Sequence, residues 1–236
     1  MFFSPATLTF LRGLQRHNDR AWFEAHRAEY ETAVQQPMRE LIEEMDVRLA
    51  RLAPEIIGDP KRSMFRIYRD IRFSADKSPY KTHASCWFYH RDGTRAVGRE
   101  AGGGGGAGFY FQIAPQDSFS GGGMWMPPRE ALLKLREAIA EQPARFAKIV
   151  TDRRVVRRLG GLSEEAMLRR VPRGFAPDHA AAKWLKFQSF VMGRALTDAQ
   201  AVSARLPALL EADFQLMVPL VRWINGVLGL KAAEGR

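Results

Sequence analysis

The sequence predicts an α+β fold, with a central antiparallel or mixed sheet at about residues 63–115 flanked by N- and C-terminal helices. Three observations lead there. Apolar residues recur at helical spacing before residue 60 and again after 127, whereas period-two alternation is confined to the block between them. The candidate strands of that block are close in sequence and separated by turn residues, as antiparallel neighbours are. Finally, 236 residues that are 46% hydrophobic and 26% charged suit a folded chain with a sizeable core. No repeat or linker divides the chain, so a single domain spans 1–236: helical over 1–60, strand-rich over 61–126 and mainly helical over 127–236.

The first helix opens at Ser4-Pro5, an N-cap followed by proline at the first helical position, and continues through Leu8, Leu11 and Leu14. His17-Asn18-Asp19 breaks it, and Asp19 is a good cap for a second helix with the aromatic face Trp22, Phe23, His26 and Tyr30. A longer helix follows Pro37, with Leu41, Met45, Leu49 and Leu52 on one stripe, and ends by Gly58-Asp59-Pro60. Phe65, Ile67, Ile71 and Phe73 then alternate with Arg66, Tyr68, Asp70 and Arg72, which predicts a half-buried strand. Ala84 to His90 and Phe109 to Ala114 are further strands. Gly121-Gly122-Gly123 reads as the start of a loop running through Trp125 to Pro128. Leu132, Leu135 and Ile139 mark a helix, and Phe146 to Leu159 and Asp198 to Leu230 are the clearest helical periods of the last hundred residues.

Charge is spread unevenly. Residues 1–60 are net −3, residues 61–100 net +6 and residues 101–236 net +7, for +10 in all. A positive field that begins abruptly at Lys61 suggests an anionic small molecule or nucleic acid as partner. The N-terminus lacks a basic region followed by an apolar run, and no stretch approaches the roughly 20 apolar residues of a membrane helix. Those features, with Cys86 as the single cysteine, predict a soluble, cytoplasmic chain without disulfides or a membrane partner.

Several familiar chemistries are excluded by spacing. The glycine run Gly102–Gly106 leads through Gly108 into Phe109-Tyr110-Phe111, so the Gly-Lys-Ser/Thr of a phosphate loop and the helix of a dinucleotide fingerprint are both missing. It reads as a flexible hairpin connection. Histidines 17, 26, 83, 90 and 179 form no H-x-x-x-H pair and there is no Cys-x-x-Cys, so neither a metal nor a cofactor is expected. Cys86, in an apolar strand, reads as a packed thiol. Arg153-Arg154 and Arg157-Arg158 place a basic stripe on one helix face, extended by Arg169-Arg170 and Arg173.

The chemically densest segment is Arg66 to His83. Arg66, Arg69, Arg72, Lys77, Tyr80 and Lys81 are the expected ligand-binding groups, and Asp70, Asp76 and His83 the available acid/base groups. On a strand, Asp70 would sit between Arg66 and Arg72, holding guanidinium groups that keep donors for a carboxylate or phosphate. Arg69, on the apolar face, must pair or lie at a bulge. Asp76 to Lys81 would be a rigid loop aiming Lys77, Tyr80 and Lys81 at one place. The competing reading is a salt-bridge network that braces a sheet edge.

Phe65 to Phe73, followed by Asp76-Lys77-Ser78-Pro79-Tyr80-Lys81-Thr82-His83, resembles the hallmark of the family catalogued as domain of unknown function 2461. Asn18-Asp19-Arg20 with Trp22-Phe23, Ala107-Gly108-Phe109-Tyr110, Gly122-Gly123-Met124-Trp125 and Val171-Pro172-Arg173-Gly174-Phe175 resemble it too. His17 stands where the family is associated with an asparagine, and the glycine run is longer than the family's. The resemblance implies a widespread bacterial protein of one domain and carries over no catalytic residue. Three functions therefore compete: an anion site on Arg66–His83, enzymatic or simply binding; nucleic-acid binding through the broad basic surface; and a structural or partner-binding protein with no catalytic site.

Overall fold

A computed structural model of the chain describes residues 2–70, 72, 76–94 and 105–233. Ser4 caps the first helix, α1 (Pro5–Arg16), in a capping box closed by Thr7. Its Leu8, Leu11 and Leu14 are buried. Asp19 accepts the Trp22 N–H at 2.9 Å and starts α2 (Arg20–Ala25). Next, α3 (Arg27–Tyr30) passes through a π-helical turn, Glu31–Gln35, into α4 (Gln36–Leu52), whose Leu41, Met45 and Leu49 are inaccessible to solvent.

Among the described residues the sheet has five strands in sequence order, all antiparallel: β1 (Ile56–Ile57), β2 (Ala84–His90), β3 (Gly108–Ile113), β4 (Ser118–Met124) and β5 (Phe190–Leu196). Between β4 and β5 come α5 (Arg129–Glu141), α6 (Pro143–Val150), α7 (Arg153–Leu159) and α8 (Ala182–Leu185); α9 (Asp198–Ala201) and α10 (Leu206–Val227) follow β5. The α+β class and the flanking helices are as the sequence predicts. Among the described residues no helix is long and apolar enough to cross a membrane.

One sheet face carries the core. Alternate residues Cys86 and Phe88, Phe109 and Phe111, and Phe190 and Met192 are buried there, each large apolar side chain contributing about 1.5–3 kcal/mol. Helix α10 crosses this face, with Phe214 stacked on Phe109 at 4.6 Å. It approaches β4 closely because Gly122 has no side chain: a Cβ there would lie 2.9 Å from the Met217 sulfur. Polar ties supplement the packing. Buried Asp213 of α10 accepts from Arg158 (2.6 Å) and Arg194 (3.0 Å), joining α7 and β5 to the helix. Buried Glu55 is gripped by Arg222 through Nε and Nη2, and Asn225 bonds both the N–H and the carbonyl of Ala107.

Four expectations need correction. The strand predicted over Phe65–Phe73 is not regular among the described residues. Only the isolated bridges Met64–Cys86 and Tyr68–Tyr80 form, and Ile71 and Phe73 lie outside the described residues. Its partner segment contains Pro79, which accepts from the Arg69 N–H but has no donor to return, so the ladder stops. Second, Gly121–Gly123 is inside β4, paired on both sides, since tertiary packing outweighs the weak strand preference of glycine. Third, β5 lies in the stretch read as mainly helical; seven residues are too short a signal to stand out among helices. Fourth, Phe146–Leu159 is two helices, because Asp152 accepts the Arg154 N–H and caps α7. Gly102–Gly104 lie outside the described residues.

Because Asp213 is buried and shared by two arginines, Asp213→Ala leaves both guanidinium groups without their acceptor. Both reach solvent in part, at 36% and 18% side-chain exposure. The expected loss is therefore toward the lower end of the range for broken buried pairs, about 3 kcal/mol, measured by urea unfolding. A loss below the error of that measurement contradicts the assignment of Asp213 as the tie.

Candidate functional site

The described residues of the Arg66–His83 segment form an irregular two-sided ribbon beside the part of β2 that β1 does not pair. Phe65 N–H donates to the Ser85 carbonyl (3.0 Å), Lys81 N–H to Ile67 (2.8 Å) and Arg69 N–H to Pro79 (2.9 Å). Between its two bridges, residues 65–67 on one side lie opposite residues 81–85 on the other, so the ribbon bulges. Its seat is Tyr80. The Asn18 amide donates to the Tyr80 carbonyl (2.9 Å) and its oxygen accepts the Tyr80 N–H (3.0 Å), imitating a strand partner. The Tyr80 ring, 1% exposed, stacks on Phe23 at 4.2 Å and lies 5.4 Å from Tyr68.

This seating opens a cleft of about 750 Å³ between the ribbon and helices α2 to α4. Arg27, Arg39, Lys61, Arg66 and Lys81 line it, against one carboxylate, Asp70. The π-helical turn lies in its helical wall, where Tyr30 and Gln35 join the lining and Arg39 lies a turn further on. Arg27 is held by Glu24 through Nε (2.9 Å) and Nη2 (2.5 Å) and lies over the Phe23 ring at 5.5 Å. By contrast, Arg39, Lys61, Arg66 and Lys81 make no ion pair among the described residues. Half-buried Lys81 lies over the Phe65 ring at 5.4 Å, and burial, then the nearby Arg66, lower its pKa.

The expected residues divide into those that line this cleft and those that do not. Arg66, Tyr68 and Asp70 line the cleft with Lys81, and so do Phe65 and Ile67 between them, so the lining does not follow the alternation of a strand. Asp70 binds Arg72 through Nε (3.0 Å) and Nη2 (2.7 Å), and these bonds, with Arg66 nearby, bring its pKa to about 2. Arg69 is exposed and pairs with Asp76. Asp76 also accepts from the Ser78 hydroxyl (2.6 Å) and N–H (2.9 Å), and its pKa too is about 2. Arg72 and Lys77 are exposed, outside the lining, while Tyr80 belongs to the core. His83 precedes β2, and burial lowers its pKa, with Lys81 and Arg69 adding to the effect and Asp117 opposing it. Cys86 is fully buried, and burial pushes its thiol pKa up.

Sequence reasoning missed Arg27, Arg39 and Lys61. Two are on helices that pattern alone assigned to the acidic N-terminal part, and nothing local distinguishes them from solvated charges. The basic stripe on α7 is partly consumed in structure: Arg158 holds Asp213, and Arg154 binds its own cap Asp152 at 3.3 Å.

A family model described as a conserved hypothetical protein (DUF2461) matches residues 6–223. Neither a curated protein nor a solved structure matches the chain.

Two measurements check this geometry. Asn18→Ala strips both partners from the Tyr80 backbone and is expected to cost about 1–3 kcal/mol, the penalty for unsatisfied buried groups. An unchanged unfolding midpoint counts against the clamp. His83 has a folded-state pKa below the ordinary 6.5, so as pH falls below 6.5 the unfolded chain takes the proton first and stability drops. In urea unfolding, His83→Gln should flatten the fall just below pH 6.5; an equal slope in both proteins contradicts the burial of His83.

Proposed function

We propose that this chain, which belongs to the DUF2461 family of conserved hypothetical proteins, binds the phosphate or carboxylate group of a small ligand in the cleft between the ribbon and α2 to α4. The observation that carries the reading is the charge imbalance of the lining: five cations face one lining carboxylate, which Arg72 already engages, and among the described residues Glu24 pairs with Arg27 while the other four make no ion pair. Bringing those four like charges together without counter-ions costs free energy, which an anionic ligand returns through charge-assisted hydrogen bonds. Arginine supplies planar paired donors for phosphate or carboxylate, and a cleft with protein walls weakens solvent screening relative to an open surface.

The lining supports a binding site first. With pKa values of about 2, Asp70 and Asp76 stay ionised near neutrality and hold arginines rather than carry protons. His83 is not part of the lining. The broad nucleic-acid surface draws less support, since Arg154 and Arg158 are paired within the protein.

Inorganic phosphate and pyrophosphate are the probes. At a hundredfold excess over Kd, binding is expected to stabilise the fold by about 2.7 kcal/mol, visible as a raised Tm. Arg66→Ala or Arg39→Ala is expected to weaken pyrophosphate about tenfold or more, as the loss of about 1.5–3 kcal/mol per hydrogen bond to a charged group implies. If neither anion shifts the wild-type Tm at low salt, the cleft is not an anion site. Tight binding of an oligonucleotide that both variants retain favours the broad basic surface instead.

A further inference from the structure

The face of the sheet opposite the core carries a second concavity, of about 400 Å³, built differently from the basic cleft. Trp87, Tyr110, Gly121 and Gly193 are consecutive partners across β2 to β5, so one cross-strand row steps from two large rings to no side chain at all. A neighbouring row has no side chain at Gly108 and Gly123 and ends at Val191. The glycines are required by the ring beside them. A Cβ on Gly121 or Gly193 would lie 2.5 or 2.2 Å from the Phe119 ring, which therefore lies flat across the strands. Phe65 and Trp125 complete the walls, and Trp125 is 46% exposed, a large apolar side chain facing solvent. The result is a shallow slot with a flat floor and aromatic sides, the shape that receives a planar ring.

Two observations narrow the occupant. Trp87 is only 5% exposed, and its indole N–H has no hydrogen-bond partner among the described residues. A buried donor without an acceptor is costly, and a ring with an acceptor atom at its edge supplies what this wall lacks. Further, Phe65 belongs to the walls of both the slot and the basic cleft, and the Lys81 ammonium lies over its ring. A ligand with its ring in the slot therefore has cationic side chains beside it. Resting on the anion reading of the cleft, we infer that the slot binds the planar heteroaromatic ring of the same ligand whose anionic group the cleft holds. A nucleoside monophosphate is the simplest ligand of that class.

Three probes separate the two sites: inorganic phosphate for the cleft, adenosine for the slot and AMP for both. Affinities come from calorimetry, and quenching of tryptophan fluorescence reports the slot through Trp87 and Trp125. AMP is expected to bind at least tenfold tighter than either part and to quench, whereas phosphate binds without quenching. Trp125→Ala, at a partly exposed position, is expected to weaken AMP and adenosine at least fivefold while leaving phosphate unchanged; Arg66→Ala should weaken AMP and phosphate and leave adenosine unchanged. If AMP binds no tighter than phosphate, or Trp125→Ala leaves AMP affinity unaltered, the slot inference is overturned while the cleft reading stands on phosphate. If adenosine binds and the phosphate of AMP adds nothing, the shared ligand is overturned through failure of the cleft.

Discussion

The placement of Tyr80 is the constraint on which the site depends. Its backbone has no continuous strand beside it, so both of its hydrogen-bonding groups are satisfied by one side chain, Asn18, from the break between the first two helices. Its ring lies between Phe23 of α2 and Tyr68 of the ribbon. Those contacts pull the ribbon against α2 and α3. They bring Arg66 and Lys81, from a basic segment, opposite Arg27 and Arg39, from an acidic one. Without that clasp the four cations have no reason to share a cleft.

The sheet presents two unlike faces, and the alternation of residues along each strand creates both at once. Toward α10 the pattern gives phenylalanines, Cys86 and Met192, closed by packing and by buried ion pairs at the sheet's margins. Away from it the same strands give Trp87, Tyr110 and Phe119 beside glycines. Glycine works in opposite directions on the two faces. Gly122 lets a helix come close, whereas Gly121 and Gly193 let a ring lie flat and leave a hollow beyond it.

Charge in this protein has two distinct uses. Where carboxylates are available, arginines are structural: Arg158 and Arg194 on Asp213, Arg222 on Glu55, Arg69 on Asp76, Arg72 on Asp70. Exposed pairs of this kind add little stability, and the ribbon pairs Arg69–Asp76 and Arg72–Asp70 serve mainly to set local geometry. Where carboxylates run out, along the cleft, positive charge accumulates. The rise in net charge after Lys61 covers Arg66 and Lys81 of the cleft, while the count of basic residues in a segment does not say which of them are paired.

Sequence by itself determined the helices whose caps and periods are local, such as α1 with its Ser4 box and α2 with Asp19, because those signals act within a few residues. It also determined β2 and β3, whose apolar runs are short and bounded by turn residues. Tertiary structure alone decided that Gly121–Gly123 is strand, that β5 closes the sheet and that Phe65 onward is a bulged ribbon, since each depends on a distant partner. It alone also put the Tyr80 ring in the core and brought Arg27, Arg39 and Lys61 to the cleft that Arg66 and Lys81 line. A cleft is a meeting of segments, and pairing across 62 residues, as between Asn18 and Tyr80, leaves no periodic trace in either one.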